Sequence, residues 1–189
     1  MKFRQPLKIT GRSSSITNAF VQAIIPRIEP SEEDTILALK HLGMTPDAMS
    51  CVYCGSPTTD WDHLRPLVKG KRPTGYIHEI RNLVPACGRC NQSKGGAEWR
   101  TWMVSKAPGS PKTRGVADLP DRMERLRQFE EWGALRPLSL SELADPALWA
   151  QHWAHLESVS EAMKAAQVHA EKLRHEIKNA LANKLRGAN

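Results

Sequence analysis

The chain has 189 residues, 40% hydrophobic and 25% charged, a composition typical of globular proteins and not of disordered or fibrous ones. No apolar run approaches the roughly 18 residues of a membrane-spanning helix. The basic first residues, MKFRQPLKITGRSSS, lack the apolar stretch of a secretory signal, so we expect a cytoplasmic chain with no membrane partner. The formal net charge is +7.

Two helices are predicted in the N-terminal segment, residues 1–48. The first covers residues 19–25, capped by Ser15 or Thr17, and ends at Pro26. The second covers residues 32–42. Ser31 and Asp34 have the spacing of a capping box at its start, and its apolar side chains are those of a core-packing face.

Four cysteines fall in the turn-rich segment that follows, residues 49–106. They form two Cys-x-x-Cys pairs with 32 residues between them, a spacing typical of a four-cysteine structural zinc site. Disulfides are disfavoured in an intracellular chain, and a redox motif does not explain two copies. We therefore predict a Zn²⁺ ion bound by Cys51, Cys54, Cys87 and Cys90.

The excess positive charge is concentrated in the same part of the chain. Residues 60–116 contain 11 Lys and Arg against 4 Asp and Glu, a net charge of +7, whereas residues 1–59 carry +1 and residues 117–189 carry −1. A focused basic region is typical of a polyanion-binding surface. Charge alone fits a solvated face equally well.

Several motifs of this segment occur in a fixed order. Asp62-His63 lies between the cysteine pairs, Asn82-Leu83 precedes the second pair, and Asn91 follows that pair directly, with Lys94-Gly95 shortly after. In this order the segment from Cys51 to Gly96 resembles the HNH, or ββα-metal, nucleases. The resemblance implies an α+β fold, in which a small zinc-stapled ββα core is flanked by N-terminal helices and a long C-terminal helix.

The resemblance also implies a role for each motif residue. Asp62 and Asn91 would hold a catalytic Mg²⁺ or Mn²⁺, since hard cations prefer oxygen ligands, and His63 would activate the attacking water as general base. Adjacent side chains on a strand point to opposite faces, so Asp62 and His63 cannot converge on one atom without such a division of roles. Asn82 would support the loop and orient the base. The third motif position, often His in relatives, is Asn91 here.

Cations near these motifs are candidate DNA contacts, with solvated surface charge as the alternative. His78 and Glu79 are rival metal ligands, but they match no position of the family pattern, and we favour structural or substrate-contact roles for them. The predicted DNA-binding residues are Arg65, Lys69, Lys71, Arg72, Arg81 and Lys94.

The rest of the chain is predicted to be a linker at 107–118 and a helical C-terminal region at 119–189. A helix is expected over residues 121–132 and a long one from Asp145 to Arg186, with Pro146 in its first turn and Gly187 beyond its end. Apolar residues continue at heptad spacing from Trp149 to Ala180, which fits either a dimeric coiled coil or packing on the body of the chain.

Together these features predict a metal-dependent DNA endonuclease acting on double-stranded DNA, of bacterial or phage origin. A sequence-specific, type II restriction-like enzyme is favoured, and the long helix offers a homodimer that would bring two sites to a palindrome. The alternatives are junction-resolving, homing or nonspecific HNH nucleases. A zinc-knuckle nucleic-acid-binding module without catalysis explains the charge and the cysteines, but not the Asp, His and Asn positions. An RNA-directed role is weaker because no RNP-like aromatic pattern occurs.

Overall fold

The computed structural model describes residues 5–186, so Gly187 lies outside the described part of the chain. Its regular elements are a 3₁₀ turn at Ile9–Arg12, α1 (Ser13–Ala23), α2 (Glu32–His41), β1 (Asp60–His63), β2 (Val68–Lys69), β3 (Arg72–Pro73), a 3₁₀ turn at Ile80–Asn82, β4 (Leu83–Ala86), α3 (Gly88–Lys94), α4 (Trp99–Met103), α5 (Leu119–Gly133), α6 (Leu140–Leu143) and α7 (Pro146–Arg186). The predicted α+β class is confirmed. No helix within residues 5–186 has the length and apolarity to cross a membrane.

The chain divides into two compact units, one formed by residues 21–140 and the other by the residues up to Phe20 together with those from Ser141 onwards. The first unit contains the ββα arrangement. β1 pairs antiparallel with β4, with His63 opposite Leu83 and Asp60 opposite Ala86, and α3 follows β4 after Cys87 and contacts β1.

A single core holds this unit together. Trp99, Tyr53 and Phe129 are the largest of its fully buried side chains, and they come from α4, the first cysteine turn and α5. α5 packs against α2 and against the 3₁₀ turn before β4. Helices α2 and α5, from the two ends of the unit, therefore fix the position of the 3₁₀ turn that leads into β4.

Two N-terminal predictions have different outcomes. The capping box at Ser31 and Asp34 is present, since the Ser31 hydroxyl accepts a hydrogen bond from the Asp34 backbone and the Asp34 carboxylate accepts one from the Ser31 backbone. The first helix instead begins at Ser13, so Ser15 and Thr17 lie inside it and do not cap it. The 3₁₀ turn at Ile9–Arg12 runs directly into this helix. The helix therefore begins before Ser15 and Thr17, and neither residue lies at its N-terminus.

The segment predicted as a linker, residues 107–118, forms successive turns that pack into the first unit. Ser110 is fully buried, and its hydroxyl donates to the Ser105 carbonyl at 2.8 Å. Arg114 extends from these turns to Cys90, where its guanidinium lies 3.2 Å from Sγ. Proline and glycine in this segment therefore shape tight turns.

The second unit is built on α7. The Asp145 carboxylate caps this helix by accepting hydrogen bonds from the Ala147 and Leu148 backbone amides, both at 2.9 Å. The N-terminal residues pack on it: Gln167 Oε1 accepts a hydrogen bond from the Ile9 amide at 2.7 Å. Leu156, a member of the predicted heptad stripe, is buried, so part of the stripe is covered within the chain.

Candidate active site

The four cysteines converge on one point. Their Sγ atoms all lie within 4.8 Å of one another, and they form the one group of three or more Cys, His, Asp or Glu ligands found among residues 5–186. The Cys90 side chain hydrogen-bonds Cys51 and lowers the pKa of that thiol to about 5, against the opposing effect of burial. Four convergent sulfur donors, including a thiol that ionises readily, are a set suited to tetrahedral Zn²⁺.

Strand β1 separates the two adjacent motif residues. Asp62 points into the protein and is 5% exposed, whereas Trp61 and His63 lie on the opposite face of the strand. This is the alternation that an extended strand imposes. The two residues therefore act in different surroundings.

Asp62 takes part in a buried polar cluster with Lys94 and Tyr53. Lys94 Nζ lies 3.0 Å from Asp62 Oδ2, and the Tyr53 hydroxyl donates to the same oxygen at 2.6 Å. Burial raises the pKa of the Asp62 carboxyl, and the Lys94 charge opposes that rise. A divalent cation at Asp62 would therefore have to share this carboxylate with the ammonium group of Lys94.

The structure gives Lys94 a task other than the predicted phosphate contact. Its side chain is fully buried, and Nζ also donates to the His63 carbonyl at 2.6 Å. A buried ammonium that holds two internal acceptors cannot reach a DNA backbone. Lys94 instead ties the end of α3 to β1 at the position of His63.

Asn82 is fully buried and binds the loop that follows His63. Its Oδ1 accepts from the Arg65 amide at 2.8 Å, and its Nδ2 donates to the Arg65 carbonyl at 3.1 Å. This pair of bonds closes the loop after β1 onto the 3₁₀ turn before β4. Asn91 lies half-buried on α3, three residues before Lys94. Its backbone amide donates a hydrogen bond to the Cys87 carbonyl at 3.0 Å.

His63 meets a second imidazole. His63 Nε2 and His78 Nδ1 are 2.9 Å apart, and the two rings are nearly perpendicular. Burial is the main cause that lowers the pKa of His63 to about 4, with His78 and Lys94 contributing, so the ring is neutral at pH 7. A neutral imidazole can accept a proton from water.

His78 is positioned by backbone pairing with the segment before α2. Its amide donates to the Pro26 carbonyl at 3.1 Å and its carbonyl accepts from the Ile28 amide at 2.8 Å. The sequence signals that were available, a histidine outside the family pattern and a distant proline turn, did not indicate this pairing. The sequence motifs therefore did not predict that His78 contacts His63.

Four of the five remaining predicted DNA contacts are exposed. Lys69, Lys71 and Arg72 belong to an exposed hairpin of β2 and β3, whose two-residue turn has positive φ at Gly70 (58°) and Lys71 (64°). Arg81 is exposed, with its guanidinium 5.8 Å from the ring centroid of Trp132.

Arg65, also a predicted DNA contact, forms ion pairs within the chain. Its guanidinium forms ion pairs with Glu98, at 3.3 Å, and with Glu130. A phosphate would have to compete with two carboxylates for this side chain. Arg65 therefore serves to connect β1 with α4 and α5.

Comparison with known proteins identifies the segment that contains these residues. Residues 51–96 match the family model of the HNH endonucleases. The chain is also 41% identical over 56 residues to the CRISPR-associated endonuclease Cas9 of Corynebacterium diphtheriae, a match covering 28% of this chain and 5% of that protein. The chain thus spans about a twentieth of the length of this relative. No solved structure matches this chain significantly.

Proposed function

We propose that this chain is a metal-dependent DNA endonuclease in which His63 is the general base. The observation that carries the proposal is the position of the His63 imidazole, which β1 places inside the HNH segment with its Nε2 2.9 Å from His78 Nδ1. The named activity of the Cas9 relative, an endonuclease, agrees with this assignment.

The contact with His78 decides which nitrogen of His63 acts. If His63 carries its proton on Nε2 and donates it to His78 Nδ1, then His63 Nδ1 keeps a lone pair for the attacking water. In the opposite tautomer His63 Nε2 accepts and Nδ1 is protonated, so no nitrogen remains to take a proton. Catalysis therefore requires the first arrangement.

The reaction that follows is phosphodiester hydrolysis. His63 Nδ1 takes a proton from water, the hydroxide oxygen bonds to phosphorus, and the bond from phosphorus to the 3′ oxygen breaks. The 3′ oxygen is then protonated by solvent, and the products are a 5′-phosphate and a 3′-hydroxyl. Asn82 and Lys94 do not touch the reacting atoms; Lys94 holds the carbonyl of His63, and Asn82 holds the backbone of Arg65 just after it.

A catalytic Mg²⁺ or Mn²⁺ would be bound by oxygen atoms of Asp62 and Asn91. Such an ion neutralises charge at the scissile phosphate and at the leaving oxygen. These donors have the right chemistry for a hard cation, and Lys94 already neutralises the Asp62 carboxylate. We therefore propose that the ion binds weakly until a DNA phosphate joins its ligands.

Double-stranded DNA is the proposed substrate, contacted by Lys69, Lys71, Arg72 and Arg81. The hairpin cations are close in sequence to His63 and are exposed, as backbone contacts must be. We further propose sequence-specific, restriction-like cleavage by a homodimer joined through α7, with Zn²⁺ bound by the four cysteines as the structural metal.

The test is incubation of the purified chain with a long DNA of known sequence and Mg²⁺ or Mn²⁺, followed by mapping of the ends. We expect discrete fragments with 5′-phosphates, and a His63→Ala variant that retains its zinc but cuts at least about 100-fold more slowly. A smear would reject sequence specificity and retain the nuclease. Intact DNA would reject the endonuclease activity. A His63→Ala variant that cuts as fast as the parent would reject His63 as the general base.

A further inference from the structure

A cavity of about 370 Å³ lies beside His63 in the unit of residues 21–140. Trp61 and His63 line it from the outer face of β1, and His78 lines it from the loop before β4. The segment before α2 also lines the cavity, with Arg27 and Ile28. Its volume is at the lower end of the range of small-ligand pockets, about 300 to 1,000 Å³.

The lining combines aromatic rings, apolar side chains and a cation. Beyond the three rings it includes Ile80 and Leu83, and Arg27 pairs with Glu29 at 2.7 Å. Trp61 is 37% exposed, so its indole is accessible to a ligand. Aromatic faces beside apolar walls are surfaces on which nucleobases stack, whatever their sequence.

The proposed reaction brings DNA to this cavity. A phosphate attacked by water on His63 must lie within two hydrogen-bond lengths of that ring, and His63 is part of the cavity wall. A nucleotide attached to this phosphate is therefore within reach of the cavity. A base inside a duplex is stacked on both sides and cannot enter a concave pocket, whereas an unpaired base can.

We propose that this cavity binds one unpaired nucleoside of the DNA strand, with its base stacked on Trp61, next to the phosphate that is cut. The inference rests on the proposed function, because it places the substrate strand at His63. It adds a substrate class: DNA with an unpaired or extruded nucleotide at the cleavage position. Trp61 is then a specificity-determining residue.

The test compares two labelled duplexes that differ in one nucleotide. One contains a single unpaired 2-aminopurine and the other is fully paired; binding to the full chain is measured without added divalent cation. We expect the unpaired duplex to bind about tenfold more tightly and its 2-aminopurine emission to be quenched on binding. Trp61→Ala should abolish both effects.

Two further variants separate the cavity from general damage. Trp149→Ala removes a half-buried tryptophan of the other unit and should retain both effects. Thr35→Phe leaves Trp61 in place and fills the cavity from α2, so it should act like Trp61→Ala. Equal binding of the two duplexes by the parent chain, or an undiminished preference in Trp61→Ala and Thr35→Phe, would overturn the inference.

Cleavage measured in parallel distinguishes the two proposals. Cutting of fully paired DNA with Mg²⁺ and no preference for the unpaired duplex would reject the cavity and retain the endonuclease. Preference for the unpaired duplex with no cutting of any DNA would reject the endonuclease and retain a nucleotide-binding pocket.

Discussion

At His63 one hydrogen bond decides whether the imidazole can act as a base. Its Nε2 lies 2.9 Å from His78 Nδ1, and two backbone hydrogen bonds fix the His78 main chain independently of its ring. In the proposed mechanism His78 is therefore a positioning residue. Changing its side chain alters the tautomer and orientation of His63 with little demand on the fold.

This arrangement predicts different outcomes for two substitutions of His78. His78→Gln keeps a carbonyl oxygen that can accept from His63 Nε2 and should retain most of the activity. His78→Leu has no acceptor for the His63 proton. We expect kcat to fall on the order of tenfold with KM unchanged, because the substitution misorients His63 and leaves the affinity for DNA as it was. Steady-state cleavage with both variants checks this; equal losses in the two would contradict an orienting role.

The elements of the ββα arrangement are joined by buried polar bonds as well as by apolar packing. Lys94 at the end of α3 reaches Asp62 and the His63 carbonyl on β1, and it is fully buried. Lys69, on the exposed hairpin, is a lysine of the same region in the opposite environment. Burial gives Lys94 a role in stability, whereas the exposed Lys69 is accessible for the DNA contact that we propose.

A matched pair of Lys→Met substitutions tests this division. Lys94→Met leaves the buried Asp62 carboxylate unpaired and should lower the free energy of unfolding by about 3 kcal/mol. Lys69→Met should leave the melting temperature unchanged and weaken DNA binding, with a shallower dependence on salt. Thermal unfolding and salt titrations measure both; a Lys94→Met variant as stable as the parent would contradict the buried pair.

Sequence patterns predicted the parts of this site that depend on local spacing. The Cys-x-x-Cys turns and the Asp62-His63 pair are close in sequence, and strand alternation already indicated that Asp62 and His63 face apart. The partners of these residues come from distant segments: Lys94 from α3, and His78 through its pairing with residues 26–28. No local pattern specifies such contacts, so the buried role of Lys94 and the contact of His78 with His63 required the structure.

At the scale of the whole molecule, α7 leaves a large apolar surface uncovered. Leu156 is buried within its own unit, but farther along the helix Leu173, Ile177 and Leu181 are 48%, 59% and 55% exposed. These three residues are four apart and lie on one side of the helix. Pairing this stripe with a second α7 would bury it and bring two HNH domains into one assembly.

We expect the parent chain to sediment as a dimer and to break both strands of a duplex in one binding event. Replacing Leu173, Ile177 and Leu181 by Gln removes the apolar stripe and leaves the HNH segment unchanged. The variant should therefore be monomeric and should cut only one strand of the duplex in each binding event. Lys172→Gln with Lys178→Gln alters the helix beside the stripe and should leave the dimer intact. Analytical ultracentrifugation and the ratio of linear to nicked plasmid measure these outcomes. A parent chain that stays monomeric at micromolar concentration, with or without DNA, would show that the stripe has another role.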